Sequence, residues 1–377
     1  MKKDYLFIRN LKKVDFTVFC VDSEQKKYYD KMFGEQQPYS SGQQTKHSIM
    51  ENILDQLDLP HAPIIYNFQV NKDKLEQKEI AQPCDPSYHD QLIGGWMSMP
   101  SKKGDKKIVK KNIEISSDDE MENDLIENKD GFKRRSPFSI SAMTPIHPLL
   151  VSLVNEAKMT FDRSESNDEK IAVRDSNGKP MDEKSIEAFL ENCNSKLTKR
   201  KLVSKEHGEK RANGFFKHDI VIDLRKIFRV PIMLHDKEMS DETIIKLKKE
   251  GWTEYVDKFG TSLELPKKDQ AELAEAIAWG LINWRIISNQ SRTFDFMTTL
   301  SVAISTRADE IPNSIRGEIQ EIDGRLKGNL VVDTNYPNTK IYSTKALNGY
   351  VLNAETSYTA IDDAVCHIKN AILEYYK

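Results

Sequence analysis

Three observations make an α+β fold the class this chain predicts. Near the N-terminus, Asp4–Asn10 and Val14–Asp22 read as strands. In the second, Val14, Phe16, Val18 and Cys20 alternate with Asp15, Thr17, Phe19 and Val21, a β-branched and aromatic run suited to a pleated surface. Further on, Ile49, Met50, Ile53, Leu54 and Leu57 recur at helical spacing, so one face of a helix points to a core. Ala62–Val70 then returns to strand character. Strand, helix and strand with few residues between them suggest an α+β sandwich.

The remaining elements follow in order. Glu24–Ser41 is polar and contains Gly34 and Pro38, and reads as a loop. The first helix ends near Leu57-Asp58-Leu59-Pro60. From Asn71 to Gly131 regular periodicity disappears, and a stretch that long reads as a projection inserted into a compact domain or as disorder. Strand-like sequence resumes at Phe138–Ala142. The chain therefore divides into 1–70, an inserted 71–131 and a remainder, 132–377. Within that remainder Asp182–Cys193 is a short helix, and Phe215–Leu224 and Phe228–Leu234 read as a strand pair. Ser240 caps a helix running to Lys249. Gln270–Trp284 is the strongest core helix, through Leu273, Ile277, Ala278, Leu281 and Ile282. Phe294–Ile304, Asn329–Val332 and Lys340–Ser343 are late strands, and Tyr358–Tyr376 is a closing amphipathic helix. There is no repeat of fixed period.

With 377 residues, 38% hydrophobic and 31% charged, the chain can bury a substantial core beneath a wet surface. The N-terminal Lys2 and Lys3 precede no apolar signal run, and no window is apolar enough to span a membrane. A cytoplasmic protein is expected. Cys20, Cys84, Cys193 and Cys366 are scattered without zinc or redox spacing, so reduced cysteines are the default. Cys20 is expected in a buried strand. The net charge of −3 hides strong segregation. Lys102 to Lys111 is basic, Glu114–Asp130 is acidic, and Lys196–Arg211 is basic again. Local patches matter for polyanion binding more than net charge does, although such runs are also ordinary solvated loops.

Three constellations could carry binding. Tyr39-Ser40-Ser41-Gly42-Gln43-Gln44-Thr45-Lys46-His47 is a small-residue turn opening a helix. Free N–H groups at a helix start favour an anion, and Lys46 adds a full charge. An ordinary capped helix with solvated polar residues is the plain alternative. Phe132-Lys133-Arg134-Arg135-Ser136-Pro137 places three cations near a prolyl turn, a grip for phosphates or a basic surface turn. Trp284–Phe296 joins the core helix to a strand and carries Arg285, Asn289, Gln290, Ser291 and Arg292, types that hydrogen-bond phosphate and ribose. Beside Gly94-Gly95, the residues Trp96, Met97 and Met99 could form an apolar wedge between bases, or could pack on the body.

Enzyme motifs are missing: there is no Walker loop, dinucleotide fingerprint or HExxH. His207 and His218 flank a basic segment without a Cys at zinc spacing. Asp219 and Asp223 share a strand face and could bind a metal, or could form surface salt bridges. No catalytic residue, metal ligand or cofactor is expected.

Taken in order, these pieces resemble the backbone subunit of CRISPR Cascade complexes, the DevR-type branch of the RAMP superfamily. The carrying residues are the strand ending in Phe19-Cys20-Val21, then Tyr39–His47, Lys133–Pro137 and Ser288-Asn289-Gln290-Ser291-Arg292. The insert after Asn71 and the tail after Asn329 match nothing in that family. The resemblance implies a modified RNA-recognition-motif (ferredoxin-like) palm with inserted finger and thumb segments. It implies RNA contacts at Gly42, Gln43, Gln44, Lys46, His47, Lys133, Arg134, Arg135, Asn289, Gln290 and Arg292. The implied partners are a guide RNA, a target nucleic acid (DNA foremost), copies of itself in a helical stack, and other Cascade subunits. Recognition of the target would be left to base pairing. A metal-dependent ribonuclease subunit of the RAMP type is the alternative, and a scaffold that binds no nucleic acid is a third.

Overall fold

The computed structural model describes residues 3–19, 25–71, 74–98, 131–156, 158–159, 172–193, 202–203, 209–233, 237–286 and 294–377. Its centre is a fully antiparallel sheet. The strands and helices that build it are β1 (Tyr5–Thr17), α1 (Gly42–Leu57), β2 (Val151–Glu156), β3 (Glu209–Asp223), α2 (Lys267–Asn283), β4 (Thr299–Ser305), β5 (Thr339–Ser343) and α3 (Ala360–Tyr375). The strand order is β2-β3-β1-β4-β5. Read along the chain, the first six elements run β-α-β-β-α-β, with the first and third strands (β1 and β3) side by side in the middle of the four and the two helices packed together. That is the ferredoxin-like connectivity of RNA-recognition-motif domains, extended by β5 and closed by α3. The α+β class and the RNA-recognition-type topology hold.

β1 is buried on both faces. Leu6, Ile8 and Val14 meet Ile49 and Ile53 of α1, Leu273, Ile277 and Leu281 of α2, and Ile368 and Ile372 of α3. Gly280 lets α1 and α2 close up, since a Cβ there would stand 2.3 Å from Cγ1 of Ile53. On the other face Leu11 packs with Ile146, Leu300, Ile311, Ile315, Leu330 and Leu347. The covering segments include an antiparallel hairpin, Ile315–Ile322 with Arg325–Val332. The sheet face that is open in a minimal domain of this topology is therefore covered.

Several expectations change. Asp4–Asn10 and Val14–Asp22 are not two strands, because pairing is continuous from Tyr5 to Val14 and resumes at Thr17. The apparent break at Lys12-Lys13 reflects a lysine that points inward. Lys12 is 1% exposed, and its ammonium donates to the carbonyls of Ile282 and Trp284 (both 3.1 Å) and to Oγ1 of Thr299 (3.0 Å). Satisfied donors are what allow a lysine into a core strand. The polar Glu24–Ser41 loop contains a hairpin, Lys27–Asp30 with Glu35–Pro38, turned at Gly34 with φ +70°. The boundary at 70/71 cuts another hairpin, Ile65–Asn71 with Lys74–Ala81, where Val70 pairs Leu75 and Asn71 pairs Lys74. Regular structure therefore continues past Asn71.

Phe215–Leu224 and Phe228–Leu234 are not a pair. The first lies within β3; Arg229–Pro231 instead joins Gly260–Glu264 and Thr253–Asp257 in a separate small sheet. The strand expected from Phe294 begins at Thr299. Cys20, Met99, the Lys102–Lys111 and Glu114–Asp130 runs, His207, and Lys196 to Lys201 with Lys205 all lie outside the described residues.

Candidate nucleic-acid interface

Two of the three constellations come together. Helix α1 starts at Gly42 because Ser41 is extended (φ −64°, ψ 151°) and its hydroxyl accepts from the Gln44 N–H at 3.3 Å. The helix start lies directly on the 140–142 segment: a Cβ on Gly42 would be 3.0 Å from the Ile140 carbonyl oxygen. Just before it, Ser40 exchanges two backbone bonds with Met143, of 2.9 and 3.0 Å. From the other side, Trp96-Met97 pairs with Arg134 and Lys133. Gly95 takes φ +77° and sits so close to that strand that a Cβ would meet the Arg134 carbonyl oxygen at 2.6 Å.

Lys46 joins the motifs. Its ammonium donates to the Gly94 carbonyl at 2.9 Å, and burial lowers its pKa. Ser136 ties the same corner by donating to the Ile93 carbonyl at 2.7 Å. The sequence suggested Gly94-Gly95 only as the base of an apolar tip. Its bridging role between the helix start and the cation cluster was missed, and the paired glycines were the available signal.

The result is a surface corner presenting Gln43, His47, Lys133 and Arg135, all exposed, with Gln44 and Lys46 half-buried at its edge. His47 stands 3.6 Å from Glu51, which also holds His61 at 2.6 Å. Among the described residues neither Lys133 nor Arg135 pairs with a carboxylate. The exposed Lys133, Arg135 and Gln43 thus stand around the junction where Lys46 of the helix reaches Gly94 and Gly95 meets Arg134, a combination of cations and a polar amide suited to phosphates.

Arg134 does not belong to that surface. Strand alternation turns it inward between its exposed neighbours. Its guanidinium donates to Glu238 at 2.6 Å and to the carbonyls of Lys226, Leu92 and Arg229 at 2.7, 2.9 and 3.2 Å. Its side chain is 0% exposed, so it holds the corner from beneath and cannot grip phosphate. Trp96 is also interior, donating from its indole to the Glu238 carbonyl at 2.6 Å, while Met97 is 56% exposed. Asn289, Gln290 and Arg292 lie outside the described residues. The stems of their segment are joined at Lys12, which also reaches the Met297 carbonyl, and the Ile286 N–H donates to Sδ of Met297 at 3.2 Å.

Asp219 and Asp223 are each held by an arginine. Arg9 binds Asp219 through both oxygens at 2.6 and 2.8 Å, and Arg225 binds Asp223 at 2.8 Å twice. Burial pushes the Asp219 carboxyl up, but the Arg9 guanidinium together with the charges of Lys217 and His218 outweighs it and leaves it below the usual carboxylate range. Among the described residues no cluster of His, Cys, Asp or Glu could hold a metal ion. No helix among them is long and apolar enough to cross a membrane.

Neither the family models nor the curated proteins match this chain. Among solved structures, it is similar to a chain of a "CRISPR RNA-guided surveillance complex", at 10% identity and a TM-score of 0.37, with 96% of this chain and 99% of that one covered. A second is a "CRISPR RNA-guided surveillance complex, pre-nicking", at 8% identity and a TM-score of 0.38, with 99% and 89% covered. At TM-scores this low the likeness carries no argument about function.

Proposed function

We propose that this chain grips single-stranded RNA by its phosphate backbone and serves as a guide-RNA-binding backbone subunit of a type I-like CRISPR interference (Cascade) complex. The observation that carries the RNA reading is that Lys46, in the first turns of the Gly42 helix, and the strand bearing the exposed Lys133 and Arg135 meet at Gly94-Gly95 on an RNA-recognition-type fold. The assignment to a Cascade backbone rests on the resemblance of Tyr39–His47 and Lys133–Pro137 to that family. In this reading the chain binds other Cascade subunits and further copies of itself, and presents the guide to target DNA. It performs no catalysis, and the arginine-paired Asp219 and Asp223 fit that role better than a nuclease centre would.

The test is a variant with Gln43, His47, Lys133 and Arg135 all changed to Ala, measured by anisotropy of labelled single-stranded RNA over a salt series. Removing two full cations from a single-strand contact should flatten the log–log salt slope by roughly 1.4, from about 0.7 per cation. The loss should be the same for unrelated sequences, since phosphates carry no sequence information. An unchanged affinity and slope would refute the interface. Incubating wild type with labelled RNA and Mg²⁺ should give no cleavage; cleavage that persists in repurified protein would favour the ribonuclease alternative.

A further inference from the structure

A cavity of about 650 Å³ lies elsewhere in the fold. Its wall is built from Asn52 of α1, the end of α2, the start of β4, and the segments on either side of the 346–356 stretch. None of the interface residues lines it. Among the described residues its lining contains Lys12, Arg285 and Lys345 and no carboxylate, in a chain whose net charge is −3. Lys12 forms part of the interior wall, with its ammonium already bonded. Arg285 and Lys345 are exposed.

Aromatic rings stand with those cations. The Lys345 ammonium lies 5.1 Å from the ring centroid of Tyr358, which is 90% exposed. Phe296, also in the wall, is 69% exposed. Phe296 meets Phe294 edge-on at 4.8 Å and Tyr358 has the Lys345 ammonium beside its ring, yet both rings stay largely open to solvent, and every nucleobase has a face to offer such a surface. Deeper in, two amides are incompletely satisfied: Oδ1 of Asn52 and Nδ2 of Asn283 are buried without a hydrogen-bond partner. Buried polar atoms without partners are uncommon and cost stability. Here one is an acceptor and the other a donor, the pair of functions presented by a base edge or a ribose hydroxyl.

We propose that this cavity binds one nucleotide unit, with its phosphate on Arg285 and Lys345, its base against Tyr358 or Phe296, and its polar edge toward Asn52 and Asn283. The volume lies in the range of small-ligand sites. The unit can come from a free mononucleotide or from a nucleotide of a strand. The site shares no residue with the corner that carries the RNA reading, so either can fail alone.

The probe is adenosine 5′-monophosphate, measured by calorimetry on the full chain beside inorganic phosphate and adenosine. It should bind more tightly than either. Arg285→Gln with Lys345→Gln should weaken it by about tenfold or more, and Tyr358→Ala should weaken the nucleotide but not phosphate. All three residues are exposed, so the melting temperature should not move. Competition by a short oligouridine assigns the site to a strand nucleotide; nucleotide binding without such competition assigns it to a free mononucleotide. The quadruple variant of the RNA corner should keep its nucleotide affinity. Nucleotide bound no better than phosphate, or variants indistinguishable from wild type, would overturn the proposal.

Discussion

Arg134 and Arg135 are adjacent and identical, and the structure gives them opposite consequences. Arg134 has a 0% exposed side chain, an ion pair with Glu238 at 2.6 Å, and three backbone carbonyls that depend on its donors. Its guanidinium carbon also lies 5.6 Å from the ring centroid of Trp96. Arg134→Ala would take the guanidinium away from the buried Glu238 and remove one donor from each of the carbonyls of Leu92, Lys226 and Arg229. Breaking one partner of a buried ion pair costs about 3–5 kcal/mol, and charged hydrogen bonds about 1.5–3 kcal/mol each, not additively. A loss of about 4 kcal/mol is therefore expected in urea denaturation. Arg135 is exposed and, among the described residues, pairs with no carboxylate, so Arg135→Ala should stay within about 0.5 kcal/mol of wild type. RNA affinity should follow the opposite order: Arg135→Ala weakens binding, whereas any Arg134→Ala protein that remains folded binds through an otherwise intact exposed surface. An Arg134→Ala protein with wild-type stability and reduced RNA affinity would refute the inward placement.

Two further outcomes follow from the interior. Burial lowers the Lys12 ammonium from 10.5 to about 7, with Asp295 opposing the shift. Between those values the unfolded chain holds the extra proton, so this group makes stability rise as pH goes from about 7 to 10.5. Lys12→Met should flatten the stability–pH curve over that window, and equal slopes in the two proteins would refute the assignment. Gly214 has φ +127°, and a Cβ there would lie 2.3 Å from the Leu150 carbonyl oxygen. Gly214→Ala should cost at least about 1–3 kcal/mol by chemical denaturation, whereas Gly349→Ala, with open space around it, should be nearly neutral. Equal stability of the two variants would remove the steric argument.

By itself the sequence determined the α+β class, the helices near Gly42–Leu57, Lys267–Asn283 and Ala360–Tyr375, and the Ser240 cap. Those features depend on local periodicity and on hydrogen bonds between neighbours in the chain. It also marked Lys46, Lys133 and Arg135, because charge beside a helix start or a prolyl turn is visible without coordinates. The hairpin at Lys27–Pro38 and the return strand Lys74–Ala81, which pairs with the strand expected at Ala62–Val70, were not legible because these strands are rich in polar residues, which blurs the apolar alternation. Only the tertiary structure could separate Arg134 from Arg135, since a two-residue strand gives no pattern from which to read its faces. The inward Lys12 was illegible for a related reason. The acceptors that admit it belong to residues 282, 284, 297 and 299, far along the chain, and only folding brings them to one ammonium.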